Sequence, residues 1–152
     1  MSDNDGDTRP PTNRMIIAVL ALFGLLIAAY MTLYKFGLIG TLACGAGSCE
    51  QVQSSRWAVF WGIPVSLIGL VGYAVIMGVA LLGLQPRRFN NRRLSNALFV
   101  LATAGFVYSL YLSYLEQFVI NAWCRYCIAS AVIATLIWIF SLAELPRLRR
   151  AP

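Results

Sequence analysis

Residues 15–34 read MIIAVLALFGLLIAAYMTLY, twenty positions from Met15 to Tyr34 without a charge, bounded by Arg14 and Lys35. An apolar helix of about 20 residues rises roughly 30 Å, the hydrocarbon thickness of a bilayer. Three more uncharged runs follow, at 57–86 (30 residues), 94–115 (22) and 126–143 (18). Together the four runs hold 90 of the 152 residues. Only 12% of the side chains are charged and the mean hydropathy is +0.71, where an ordinary soluble domain carries about 25% charge. A water-soluble enzyme, a disordered chain and a protein with a large soluble half are excluded. A membrane barrel would need alternating segments of about ten residues, whereas these runs are continuous Leu, Ile, Val and Ala. The expected fold is an all-α membrane protein, a four-transmembrane-helix bundle.

Residues 1–13 are polar, include Pro10-Pro11 and read as a disordered tail. Three Asp near the start and a run of twenty argue against a cleaved signal peptide. The membrane domain is expected over 14–145, followed by a basic tail at 146–152. The run 57–86 is too long for one span. Gly62-Ile63-Pro64 predicts a helix starting near Ile63, with Pro64 in its first turn. The fourth span is expected from about Trp123 to Ala143, with Pro146 just beyond its end. Gly69, Gly72, Ala102, Ala104 and Gly105 are small enough to let helices approach closely.

Charge sets the expected orientation. One face carries nine basic residues, Arg9, Arg14, Arg87, Arg88, Arg92, Arg93, Arg147, Arg149 and Arg150; the other carries Lys35, Arg56 and Arg125. Positive residues mark the cytoplasmic side, so both termini are expected inside and the first and third loops outside. The net charge of +6 is then a topology signal and calls for no nucleic-acid partner. The paired arginines also suit anionic lipid headgroups.

The chain has no His, which removes His-ligated metals, Ser-His triads and imidazole bases. The reagents left are four cysteines in two pairs. Cys44 and Cys49 lie in Cys44-Gly45-Ala46-Gly47-Ser48-Cys49, and Cys124 and Cys127 in Trp123-Cys124-Arg125-Tyr126-Cys127. By the expected topology all four face outward, where disulfides persist. Proximity favours pairing 44–49 and 124–127, and cross-pairing stays open. At the first turn of a helix, residues i and i+3 share a face, and the helix dipole favours thiolate at Cys124. Structural staples, a four-cysteine zinc site and ordinary buried thiols are the competing readings.

The stretch Cys49-Glu50-Gln51-Val52-Gln53-Ser54-Ser55-Arg56-Trp57, then Gly62-Ile63-Pro64, then Cys124-Arg125-Tyr126-Cys127-Ile128, resembles the vitamin K epoxide reductase family, its bacterial branch in particular. The likeness runs from Met15 to Ser141 in the family's order. It implies four helices around a quinone (menaquinone, ubiquinone or phylloquinone) beside the membrane CxxC, with no metal. It implies that Cys124 and Cys127 reduce the quinone, with Cys127 nearest the ring. Cys44 and Cys49 would be the shuttle pair: Cys44 meets an external partner and Cys49 passes electrons to Cys124. Ser55 and Trp57 would help seat the loop and substrate. Ala131 stands where vertebrate members carry Tyr, so epoxide reduction is not implied. Bacterial relatives often fuse a thioredoxin-like domain after the bundle; this sequence ends at Pro152 without one, which implies a separate extracytoplasmic thioredoxin-like disulfide donor and a bacterial plasma membrane. The alternative is a non-enzymatic four-span scaffold with structural disulfides.

Overall fold

The computed structural model describes residues 12–38, 40, 51, 54–85 and 92–150, with backbone alone from 145 onward. Four helices dominate it: α1 (Thr12–Lys35), α2 (Val65–Leu82), α3 (Arg92–Tyr114) and α4 (Arg125–Arg150). All four are long and apolar enough to cross a membrane. α1 packs on α2 and α4, and α4 packs on α3. Large apolar side chains such as Val19, Phe23, Leu26, Val71, Val107 and Ile139 point outward, as a surface facing lipid requires.

Helix ends depart from the sequence expectation at three places. Before α2, a 3-10 turn at Arg56–Ala58 leads into a small antiparallel hairpin, β1 (Val59–Phe60) and β2 (Ile63–Pro64). Ile63 and Pro64 therefore belong to a strand, and α2 begins at Val65. The hairpin loop, Trp61-Gly62, has φ of 51° and 81°, the paired left-handed conformation that a two-residue turn demands. α3 does not stop at its first acid. It continues as a π-helical turn, Leu115–Ile120, closed by Asn121 in the left-handed conformation, which Asn tolerates better than most residues. α4 starts at Arg125, and its backbone runs past Pro146 to Arg150. The proline removes one hydrogen-bond donor without ending the helix.

The buried face of α1 carries Ile17, Ala21, Gly24, Ala28 and Met31, spaced alternately by four and three residues, the period of a helix–helix seam. The ring of Tyr73 on α2 lies against Gly24, where any Cβ would collide with it. Tyr73 then reaches Ser130 on α4: its hydroxyl donates to the carbonyl at 2.9 Å and lies 2.7 Å from Oγ. The small residues expected to let helices approach do so only in part: Gly69 faces Ala28 on α1 and Ala102 is packed in the core. Gly69, Gly72, Ala102, Ala104 and Gly105 line an apolar cavity of about 360 Å³ between α2, α3 and α4. A Cβ on Gly72 or Gly105 would meet nothing within 4 Å. Their missing side chains leave space.

One end of the bundle is closed by a buried ion pair. Arg14 Nε lies 2.5 Å from Glu144 Oε1, and both side chains are almost wholly buried. Arg14 Nη1 donates to the Gly83 carbonyl at 2.7 Å and Nη2 to Ser95 Oγ at 2.6 Å. One guanidinium thus ties α1 to the end of α2, to α3 and to α4. Arg14, counted in the sequence as a topology signal, is a structural tie.

Candidate active site

At the other end, the segment 121–124 carries the chain from the π-helical turn into α4. Cys124 acts as the cap of α4. Its carbonyl accepts the first helical bond, from the Ile128 N–H at 3.0 Å. Its sulfur receives the Cys127 thiol together with the backbone N–H groups of Tyr126 and Cys127. The thiol hydrogen bond from Cys127 is the largest of the influences that hold Cys124 below the ordinary thiol range; burial and the nearby Glu116 carboxyl oppose it. Cys124 is fully buried, Cys127 half-buried, and both are free thiols. The first-turn spacing read from the sequence therefore brings the two sulfurs into contact.

Packing fixes this turn from two sides. The far end of α1 supplies Met31, Ile27, Tyr30 and Tyr34 against Cys124, with the Tyr30 and Tyr126 rings 5.4 Å apart. On the Cys127 side stand Trp57, Ala58, Val65, Leu112, Leu115 and Ile120 around a void of about 40 Å³, room for a few waters. A second cavity of about 300 Å³ lies beyond it, lined by Arg56, Trp57, Phe60, Trp61, Val65, Tyr108, Tyr111 and Leu112 among others. Trp57, Val65 and Leu112 border both spaces. Tyr108 borders the second cavity and the large apolar one between the helices. A broken series of apolar spaces thus runs from Cys127 into the bundle.

Of the residues picked from sequence, Cys124, Cys127 and Trp57 meet at this end. Trp57 also carries the Arg56 guanidinium over its ring at 4.9 Å. Ser55 stands just before the 3-10 turn, where its carbonyl accepts the Ala58 N–H at 3.1 Å; it borders none of these cavities. Cys44 and Cys49 lie outside the described residues. Among the described residues no group of three or more His, Cys, Asp or Glu could hold a metal, and the four-cysteine zinc reading involves the undescribed pair.

Sequence reasoning missed Glu116. It sits in the π-helical turn, 4% exposed. Its Oε2 accepts the Cys124 backbone N–H at 3.3 Å, and the Cys127 thiol hydrogen-bonds its carboxyl. The signal was available: an acid flush against an apolar run marks a functional position in a membrane helix. Taking that acid as the end of the span concealed it. Two hydroxyls, Ser66 Oγ and Tyr108 OH, are buried without a hydrogen-bond partner among the described residues, and Tyr108 edges the cavities.

Comparison with known proteins finds both a family and a curated relative. The sequence profile of the vitamin K epoxide reductase family matches residues 15–142, which include both cysteine pairs, Ser55 and Trp57. The chain is 32% identical, over 125 residues, to the thiol-disulfide oxidoreductase LTO1 of Arabidopsis thaliana. That alignment takes in 79% of this chain and 33% of the relative, so the chain spans about a third of the length of the protein it matches.

Proposed function

The chain belongs to the vitamin K epoxide reductase family, and from that premise we propose that it is a membrane thiol–quinone oxidoreductase that reoxidises an extracytoplasmic thioredoxin-like protein. The observation that carries this reading is the Cys124–Cys127 turn: two free thiols in contact, one favoured as thiolate, at the edge of a series of apolar cavities. Thiolate is the reactive form in disulfide exchange. A structural staple has no use for a neighbouring cavity.

In this scheme a reduced partner attacks the Cys44–Cys49 disulfide, and Cys49 passes the electrons to Cys124. The reduced Cys124–Cys127 pair then reacts with quinone: two S–H bonds break, one S–S bond forms, and the quinone gains two electrons and two protons as quinol. The quinone supplies the redox chemistry, and the chain orients it and excludes water. The cavity of about 300 Å³ suits a ring, and the apolar one of about 360 Å³ suits an isoprenoid tail. Tyr108, whose hydroxyl has no hydrogen-bond partner among the described residues, is suited to donate to a quinone carbonyl. The void at Cys127 is far smaller than a ring. Trp57 and Leu112 must shift before a ring reaches the sulfur. The nine-to-three bias of basic residues supports cytoplasmic termini and outward-facing cysteines.

The test is quinone reduction by purified protein supplied with a reduced thioredoxin-like donor. Turnover is expected in the wild type and absent in Cys127→Ser, with the variant still folded and membrane-inserted. Full turnover by Cys127→Ser, or none by the wild type, rejects the scheme.

A further inference from the structure

We propose that Glu116 is the proton carrier of the Cys124–Cys127 pair, taking the proton of the Cys127 thiol as that sulfur gives up its electrons and delivering it to the quinone; this rests on the thiol–quinone reading above.

Geometry limits the candidates. Reduction of a quinone needs two protons gathered from the cysteine pair, and in the void beside Cys127 the only other ionisable side chain is Glu116, the rest of the lining being Trp57, Ala58, Val65, Leu112, Leu115 and Ile120. Tyr108 and Tyr111 border the ring cavity beyond it and not this void. The chain has no His. Among the described residues the other buried carboxyl, Glu144, is held by Arg14 with the tie to Gly83 and Ser95, away from the cysteines. Glu116 touches both halves of the CxxC, through the Cys124 N–H and the Cys127 thiol. It has no cationic partner among the described residues. A void of about 40 Å³, which Glu116 and Cys127 both line, has room for waters that would extend its reach.

The competing role is purely architectural. A carboxyl that accepts the Cys124 N–H helps to fix the start of α4. An amide oxygen fills that role equally well. What an acid adds is a proton that can come and go, in a stretch of membrane helix where an acid is costly to retain.

The step balances. In Cys124–SH + Cys127–SH + quinone → Cys124–S–S–Cys127 + quinol, Glu116 gives its proton to one quinone oxygen and takes that of Cys127. The Cys124 proton, freed as the disulfide closes, passes through the same carboxyl to the second oxygen. Glu116 ends the cycle as it began.

The test uses the wild-type chain and Glu116→Gln in lipid nanodiscs, with dithiothreitol as reductant and menadione as the quinone. Glu116→Gln is expected to lower quinone reduction about 100-fold, the scale of a lost acid–base group. Dithiothreitol should still reduce its Cys124–Cys127 disulfide at the wild-type rate when quinone is absent. Wild-type quinone turnover in Glu116→Gln overturns the proposal, as does an equal slowing of both half-reactions, which marks an architectural role. A readout on the wild type needs no variant to fold. The reduced-minus-oxidised infrared difference spectrum should contain a carboxyl change on reduction of the cysteine pair, and a silent carboxyl overturns the proposal. Failure of the underlying reading looks different, because the wild type itself then fails to reduce menadione while the infrared change still reports on Glu116.

Discussion

Two buried carboxyls sit at opposite ends of this bundle, and they are treated in opposite ways. Glu144 is 4% exposed and lies against a guanidinium that also binds Gly83 and Ser95. Glu116 is equally buried, yet its partners are a backbone N–H and a thiol. At the first end the acid's charge is neutralised and spent on joining helices. At the second it lies beside two free thiols. The same side chain, at the same burial, joins helices in one place and in the other carries protons in the scheme proposed above, and among the described residues the difference is whether a cation stands beside it.

That contrast can be broken most forcefully at the riveted end. Glu144→Ala removes the carboxylate that lies against the buried Arg14 guanidinium, and removal of one member of a buried pair costs about 3–5 kcal/mol. Denaturant titration in detergent measures it. Replacing both Arg14 and Glu144 by Met should recover most of the loss, because no charge is stranded. If Glu144→Ala unfolds no more easily than the wild type, the ion pair is not what holds this end.

A smaller effect is expected from packing. A Cβ at Gly83 would lie 2.8 Å from Arg14 Nη1, and that guanidinium is fixed by its hydrogen bonds. Gly83→Ala should therefore cost about 1–3 kcal/mol, the range of overpacked sites. Gly72→Ala, at the wall of the large cavity, meets nothing within 4 Å and should leave thermal stability unchanged. Equal losses at the two glycines would remove the distinction between a packed end and an open one.

The subtlest test concerns Cys124. Its thiol is lowered chiefly by the Cys127 hydrogen bond, so in the reduced protein its thiolate should form at lower pH than an ordinary cysteine. The sign follows directly. A depressed folded value favours the folded state above the unfolded thiol range, and that advantage disappears as pH falls through the folded value. Following the thiolate by its ultraviolet absorbance should move the titration upward in Cys127→Ala. No movement would mean that the backbone N–H groups alone set the Cys124 thiol.

Much of this was legible in the chain. Uncharged runs disclosed four spans because membrane helices exclude charge, and the CxxC spacing disclosed a first-turn pair because i and i+3 share a helical face. What escaped was every place where one residue does an unexpected job. Glu116 reads in the sequence as the end of a span, although a π-helical turn carries α3 beyond it. Arg14 reads in the sequence as one more topology charge, although it is buried. Gly72 and Gly105 suggested contact and instead border space. The hairpin strands, two residues each, are too short for any alternating pattern to register. Arg14 and the two glycines depend on partners distant in sequence, which local composition does not encode; the π-helical turn and the hairpin are local, but too short to leave a period in the sequence.

The Arg14 tie has a mechanical corollary. Helices clasped at one end and packed unevenly along their length behave as cantilevers, whose deflection grows with distance from the clamp. α2 leans on α1 more than on α3, so the weaker seam is the one between α2 and α3, where the large apolar cavity lies. In the thiol–quinone scheme proposed above, that seam is the side on which a flat, lipid-soluble molecule would enter from the bilayer, while the clamped base keeps its shape.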